Sequence, residues 1–289
     1  MRESPRAGSS SAPLLLLAPG CVIFCVLLVA PLTKLLSESF RTYISGRIGS
    51  AVDAPLTLQN YSDLLTPGYY PYFADTFRLG LIATLVALIT GYLLALIIAR
   101  QRSAAARKLW LMFLVGVLFL SPIIRIYAIS LALGPVGILH YITGLTGLNP
   151  NGPTVLESTV VAGLLSFLIP ISAITLVGTI QNINPRLVEA AQALGAASWQ
   201  AHLTITVPLS LRGILSAFLI DYTLSISAFA VPMILGRGRI LFVSNLIYSR
   251  FGELANYPSG AALSIIMLVI ALLVVYLMSR FARQRWDYI

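Results

Sequence analysis

The chain has 289 residues, a net charge of +9, 58% hydrophobic residues and only 10% charged ones. A soluble domain carries roughly 25% charged residues, so this chain cannot clothe itself in a water-compatible surface. Its mean hydropathy of +0.89 makes a lipid bilayer the natural solvent for most of it, and its basic residues lie between apolar runs, which argues against nucleic acid as a partner.

A spanning helix needs about 20 mostly apolar residues. Six windows meet that need: 13–36, 77–99, 109–133, 156–180, 210–235 and 259–280. Ahead of the first, the Ser/Pro/Gly-rich stretch 1–12 reads as a disordered tail. The first window holds Cys21 and Cys25, which share one helix face and read as small hydrophobes. Its run continues well past Cys21 and more spans follow, so it reads as a span and not as a cleaved signal. The longest non-spanning segment, 37–75, carries Tyr43, Tyr61, Tyr69, Tyr70 and Tyr72, residues of the type that marks a membrane interface. Pro122, Pro170 and Pro232 fall inside the third, fourth and fifth windows as candidate breaks. Membranes tolerate such breaks where neighbours or a cavity satisfy the freed backbone groups.

Orientation follows from Lys and Arg in the short loops. With the N-terminus cytoplasmic, eleven of the 19 lie inside and seven outside, the remaining one being Arg125 within a span. The cluster Arg100, Arg102, Arg107 and Lys108 is the sharpest inside anchor. Both termini, including the tail 281–289, are therefore expected in the cytoplasm, flanking a six-span domain over 13–280.

The loop 181–209 then falls on the cytoplasmic side. Asn184 can cap a helix whose first residue is Pro185. Gly195 permits the left-handed turn that ends it, and Ser198 can cap a second short helix. Small residues (Ala190, Ala191, Ala193, Ala196, Ala197) let a partner backbone come close, and Glu189 supplies one charge. The alternative, an amphipathic helix lying on lipid, is usually Lys/Arg-rich, and this one has only Arg186.

The string Glu189-Ala190-Ala191, Gly195, Ile205 and Val207-Pro208 resembles the EAA loop of permeases in bacterial binding-protein-dependent ABC importers. The family usually has Leu where Val207 stands. The resemblance implies an all-α polytopic membrane protein of the type I ABC importer permease fold with six transmembrane helices. It implies that Glu189, Ala190, Ala191, Gly195, Ile205 and Pro208 couple the spans to a separate ATPase. A second permease, homologous or identical, and a periplasmic solute-binding protein complete the implied set of partners, in the bacterial inner membrane. Three further strings are similar to the spermidine/putrescine branch of these permeases: Ser121-Pro122-Ile123-Ile124-Arg125-Ile126-Tyr127-Ala128, then Ser227-Ala228-Phe229-Ala230-Val231-Pro232, then Val243-Ser244-Asn245-Leu246-Ile247. That branch usually has Trp at the position of Ile129. The likeness implies a polyamine such as putrescine or spermidine as cargo, or, since the branch carries other solutes too, an opine, phosphonate or metal chelate.

No phosphate-binding loop is present, because Lys34 and Lys108 follow Thr33 and Arg107 and not Gly. No cofactor is expected in this chain, and ATP and Mg would be bound by the partner ATPase. His140 and His202 sit in separate loops, which supports neither a zinc site nor a Ser-His-Asp triad. Two ionisable residues, Arg125 and Asp221, fall within spans, where a charge costs at least ~2.5–3.5 kcal/mol on insertion scales. Either they pair with each other or Arg125 snorkels to the outer surface, or they help line the translocation path. In the second reading Asp221, Tyr222, Ser225, Ser227, Tyr127 and Phe229 form the path beside Arg125, and the acid and aromatic faces would suit a polyamine.

Overall fold

The computed structural model describes residues 12–44, 49–50, 54–134, 137, 149 and 151–284. Residues 1–11 of the expected N-terminal tail, Arg47, His140 and residues 285–289 lie outside the described residues. Among those described, four stretches are each long and apolar enough to cross a membrane: Pro19–Ser39, Pro67–Ala99, Pro153–Gln181 and Tyr257–Arg280. They belong to helices α1 (Ala12–Ser39), α3 (Tyr70–Ala99), α6 (Pro153–Gln181) and α13 (Tyr257–Gln284). Two bent pairs raise the number of spans to six when each pair is one span.

The first bent pair is α4 (Ala104–Phe119) and α5 (Pro122–Ala132), which meet at 90°. The bend follows from local chemistry. Pro122 disfavours a helical Ser121, and both Leu120 and Ser121 are extended, with ψ of 135° and 126°. The second pair joins Ser198–Leu209 to α10 (Leu211–Ile226) at 72°. Window 210–235 is thus not one straight span: α10 stops at Ile226, and α11 (Ala230–Leu235) follows a break at Ser227–Phe229. Pro232 lies inside α11, beyond that break. Pro170 makes no break, and α6 runs through it.

The chain divides into two compact units. One comprises 1–64 and 250–266. In it, α1 is followed by an isolated antiparallel bridge between Arg41 and Leu56 and by α2 (Gln59–Asp63). Asn60 ties this segment together, its Nδ2 donating to the carbonyls of Ser39 and Arg41, each at 2.9 Å.

The other unit comprises 65–249 and 267–289. Its core is the packing of α3 on α6 and of α10 on both. Small residues make that close approach possible, as in other membrane helices. A Cβ at Gly80 would meet Ile226 Cγ2 at 3.1 Å and Ser225 Oγ at 3.2 Å. Gly91 admits Ser172 in the same way. Leu79, Ala83, Leu164, Leu168 and Phe242 fill one apolar cluster, and Ile98, Leu176, Ile180 and Ala217 a second nearer the loop 181–209.

Candidate functional site

The loop between α6 and α10 folds into an elbow. Its first arm is α7 (Pro185–Ala193). Asn184 caps it, the side-chain oxygen accepting from the Arg186 N–H at 3.0 Å, and Pro185 stands where no N–H is needed. The helix ends in a Schellman turn. Gly195 N–H donates to Gln192 O at 2.9 Å, and Ala196 N–H to Ala191 O at 3.1 Å. Gly195 has φ +93°, which L side chains rarely adopt.

The second arm starts with α8 (Ser198–Ala201). Here Ser198 is not the cap. Ala197 holds that position, and its N–H is taken by Gln200 Oε1 at 3.1 Å, reaching back one turn. The chain then widens into a π-turn over His202–Thr206, followed by α9 (Val207–Leu209). Val207 N–H reaches back five residues to His202 O, and Pro208 has no N–H to give. His202 Nδ1 and Thr206 Oγ1 meet at 3.0 Å within the turn.

The elbow is attached on one side and bare on the other. Val188 and Ala201 are buried, and Arg100 Nη1 donates to Ile183 O at 3.4 Å. Glu189, Ala190, Gly195 and Pro208 are exposed, and Ala191 and Ile205 half-buried. Leu194, at 90% exposure, projects from the tip.

The polar residues within the spans divide into a buried set and an open set. Asp221 is 0% exposed, and Ser172 Oγ of α6 donates to its Oδ2. Ser225 Oγ donates to Gly80 O at 3.2 Å, and Tyr92 OH lies 3.2 Å from Ser210 Oγ. α3 and α10 therefore run antiparallel, with Thr84, one turn beyond Gly80, at the level of Asp221. Thr84 Oγ1 and Asp221 Oδ1 are both buried without a hydrogen-bond partner among the described residues. Tyr222 and Ser225 are buried beside them.

Arg125 is not paired with Asp221. Its Nη1 donates to Ser166 O at 3.2 Å, and its Nε is buried without a partner. It lines a cavity of 330 Å³ together with Ser166, Phe167, Leu224 and Phe229. Tyr127 and Ser227 are exposed. The break at Ser227–Phe229 is held by two residues of the string Val243-Ser244-Asn245, for which sequence alone suggests no role. Asn245 of α12 (Val243–Tyr248) donates from Nδ2 to Phe229 O at 2.9 Å and accepts the Phe242 N–H at 2.9 Å. Ser244 Oγ donates to Ala228 O at 2.6 Å. A buried Asn flanked by a Pro-bearing helix is the signal that could have found this latch.

The chain resembles known proteins over most of its length. It is 32% identical over 262 residues to the spermidine/putrescine transport system permease protein PotB of Haemophilus influenzae, covering 90% of this chain and 89% of that one. PotB of Escherichia coli K12 is 30% identical over 223 residues, covering 76% and 81%. The fold matches a chain in the crystal structure of a bacterial ABC transporter involved in the import of the acidic polysaccharide alginate. That match has a TM-score of 0.74 at 21% identity and covers 94% of both chains. Residues 91–287 match the family described as binding-protein-dependent transport system inner membrane component. The chain therefore belongs to that family: it is the multi-pass permease subunit of an ABC importer, an architecture that implies an ATPase, a paired permease and a periplasmic solute-binding protein as partners.

Proposed function

We propose that the elbow 181–209 is the coupling element, docking in a groove of the ATPase through Glu189, Ala190, Ala191, Gly195, Ile205 and Pro208. The observation that carries this reading is the exposed Glu189-Ala190 face beside a Schellman turn. The elbow is fixed at its base, and its side chains are small enough for a partner backbone to approach. The excess of basic residues around Arg100–Lys108 supports a cytoplasmic elbow and cytoplasmic termini. Closure of the ATPase pair would then move α6 and α10, the two helices that enter and leave the elbow, and alternate access to the path.

We further infer that the path runs past the open set, Arg125, Tyr127, Ser227 and Phe229. Asp221, Tyr222 and Ser225 stand behind it and set the helix spacing. The identities of 30–32% to spermidine/putrescine permeases support a polyamine as cargo. One observation favours a second reading. Arg125 is not neutralised by Asp221, and a guanidinium that lines a cavity without a carboxylate partner among the described residues suits a cargo with an anionic or acceptor group, such as a phosphonate or an opine. Uptake of radiolabelled putrescine by proteoliposomes holding the assembled importer and its binding protein tests the choice. Saturable, ATP-dependent uptake supports the polyamine, and uptake of an anionic solute with none of putrescine refutes it.

A further inference from the structure

The elbow does not close against α3. Between them lies a cavity of 780 Å³, walled by Ile89 and Leu93 of α3, Trp199, Leu203 and Val207 of the elbow, and Ile214 of α10. Ile89, Leu93, Trp199 and Leu203 are each more than half exposed, at 63%, 55%, 64% and 56%. Two polar groups in the wall are occupied locally. Tyr92 OH is held at Ser210 Oγ and His202 Nδ1 at Thr206 Oγ1, so the slot presents carbon.

A fixed positive charge stands at its end. Arg100, the residue that closes α3, follows Leu88, Tyr92 and Leu96 of the slot wall at four-residue spacing on the same helix face. Its Nη1 holds Ile183 O, while its Nη2 is buried with no hydrogen-bond partner among the described residues. Arg100 forms no ion pair among the described residues, so no carboxylate there neutralises it. Arg102, two residues on, is exposed. An apolar slot that ends in an unneutralised guanidinium is matched by an amphiphile with a long tail and an anionic head. Basic pockets between spanning helices at the cytoplasmic face hold such headgroups.

We propose that one anionic phospholipid occupies this slot, with an acyl chain between α3 and the elbow and its phosphate on Arg100. The lipid fills the space under the elbow, so that a push on the elbow is passed to α3 as well as to α10. Placing the headgroup in the cytoplasmic leaflet rests on the orientation proposed above.

The test is native mass spectrometry of the assembled importer, released from nanodiscs of phosphatidylglycerol or of phosphatidylcholine. The wild type is expected to retain phosphatidylglycerol in preference to phosphatidylcholine. Arg100→Gln keeps a donor for Ile183 O and is expected to reduce that preference about fivefold, the worth of one basic residue near an anionic surface. Leu93→Trp fills the slot and is expected to abolish retention of both lipids. Equal retention of the two lipids by the wild type, or retention unaffected by Leu93→Trp, overturns the proposal. ATPase co-purification is read in the same samples. Equal retention of the two lipids by a wild type that still holds its ATPase condemns the lipid site alone, and an ATPase still bound by Glu189→Arg condemns the docking reading alone.

Discussion

Gly195 is where the elbow is most sensitive to a single atom. At φ +93° it completes the Schellman turn through two hydrogen bonds, Gly195 N–H to Gln192 O and Ala196 N–H to Ala191 O. Nothing lies within 4 Å of a Cβ placed there, so Gly195→Ala introduces backbone strain and no clash. Left-handed backbone costs an L-residue ~1–2 kcal/mol. The turn would relax towards another geometry, and the docking-competent elbow would become a minor state by that amount. Apparent affinity falls by the fraction that remains competent, so ATPase binding should weaken about 5- to 30-fold. Asn tolerates left-handed backbone better than Ala, so Gly195→Asn should fall between Ala and wild type. The assay is titration of the purified ATPase onto the permease in nanodiscs. Because Gly195 is exposed, the thermal midpoint of the permease should hardly move. Wild-type affinity in Gly195→Ala would refute the reasoning.

Other consequences follow from the interior. Ser172→Ala leaves Asp221 with no hydrogen bond from a side chain described here, a loss of about 1–3 kcal/mol. Thermal unfolding in detergent should show it, with Asp221→Asn, which can still accept from Ser172, costing less. Asn245→Ala orphans Phe242 N–H, about 1–3 kcal/mol, and leaves Phe229 O only the Met233 N–H at 3.3 Å; transport in proteoliposomes should drop while the ATPase still co-purifies. Cysteine introduced at Tyr127 or Ser227, in a chain with Cys21 and Cys25 replaced by Ser, should react with a hydrophilic thiol reagent. Cysteine at Ser225 should not, and equal labelling at all three sites would contradict the division into open and buried sets. The ion pair of Arg78 and Glu157, at 2.5 Å but half-exposed, should contribute only ~0.2–1 kcal/mol in a double-mutant cycle.

What the sequence made legible is what depends on composition and local chemistry. Four of the six apolar windows, 13–36, 77–99, 156–180 and 259–280, fall on single observed helices, whose length follows bilayer thickness. The cap at Asn184, the stop at Gly195 and the corner at Pro122 were readable because each rests on one residue's backbone preference. What was not readable depends on neighbours in space. Pro122 and Pro170 look alike in sequence, yet one sits at a right-angle corner and the other inside an unbroken helix, packed and buried in the core. The cap at Ala197 escaped because no side chain of its own marks it: Gln200, reaching back from inside the helix, accepts its N–H. Arg125 and Asp221, the two intramembrane charges, suggested each other as partners. Each is bonded elsewhere, Arg125 to Ser166 O and Asp221 to Ser172 Oγ, and only three-dimensional register puts Thr84 at the level of Asp221.

The most direct test of the coupling role is co-purification of the ATPase with Glu189→Arg. Glu189 is exposed, so the substitution should leave the fold intact. A reversed charge in a docking groove costs several kcal/mol, so the account expects the ATPase to be lost and transport with it, at an unchanged thermal midpoint. A Glu189→Arg permease that still holds its ATPase and transports at the wild-type rate would contradict it.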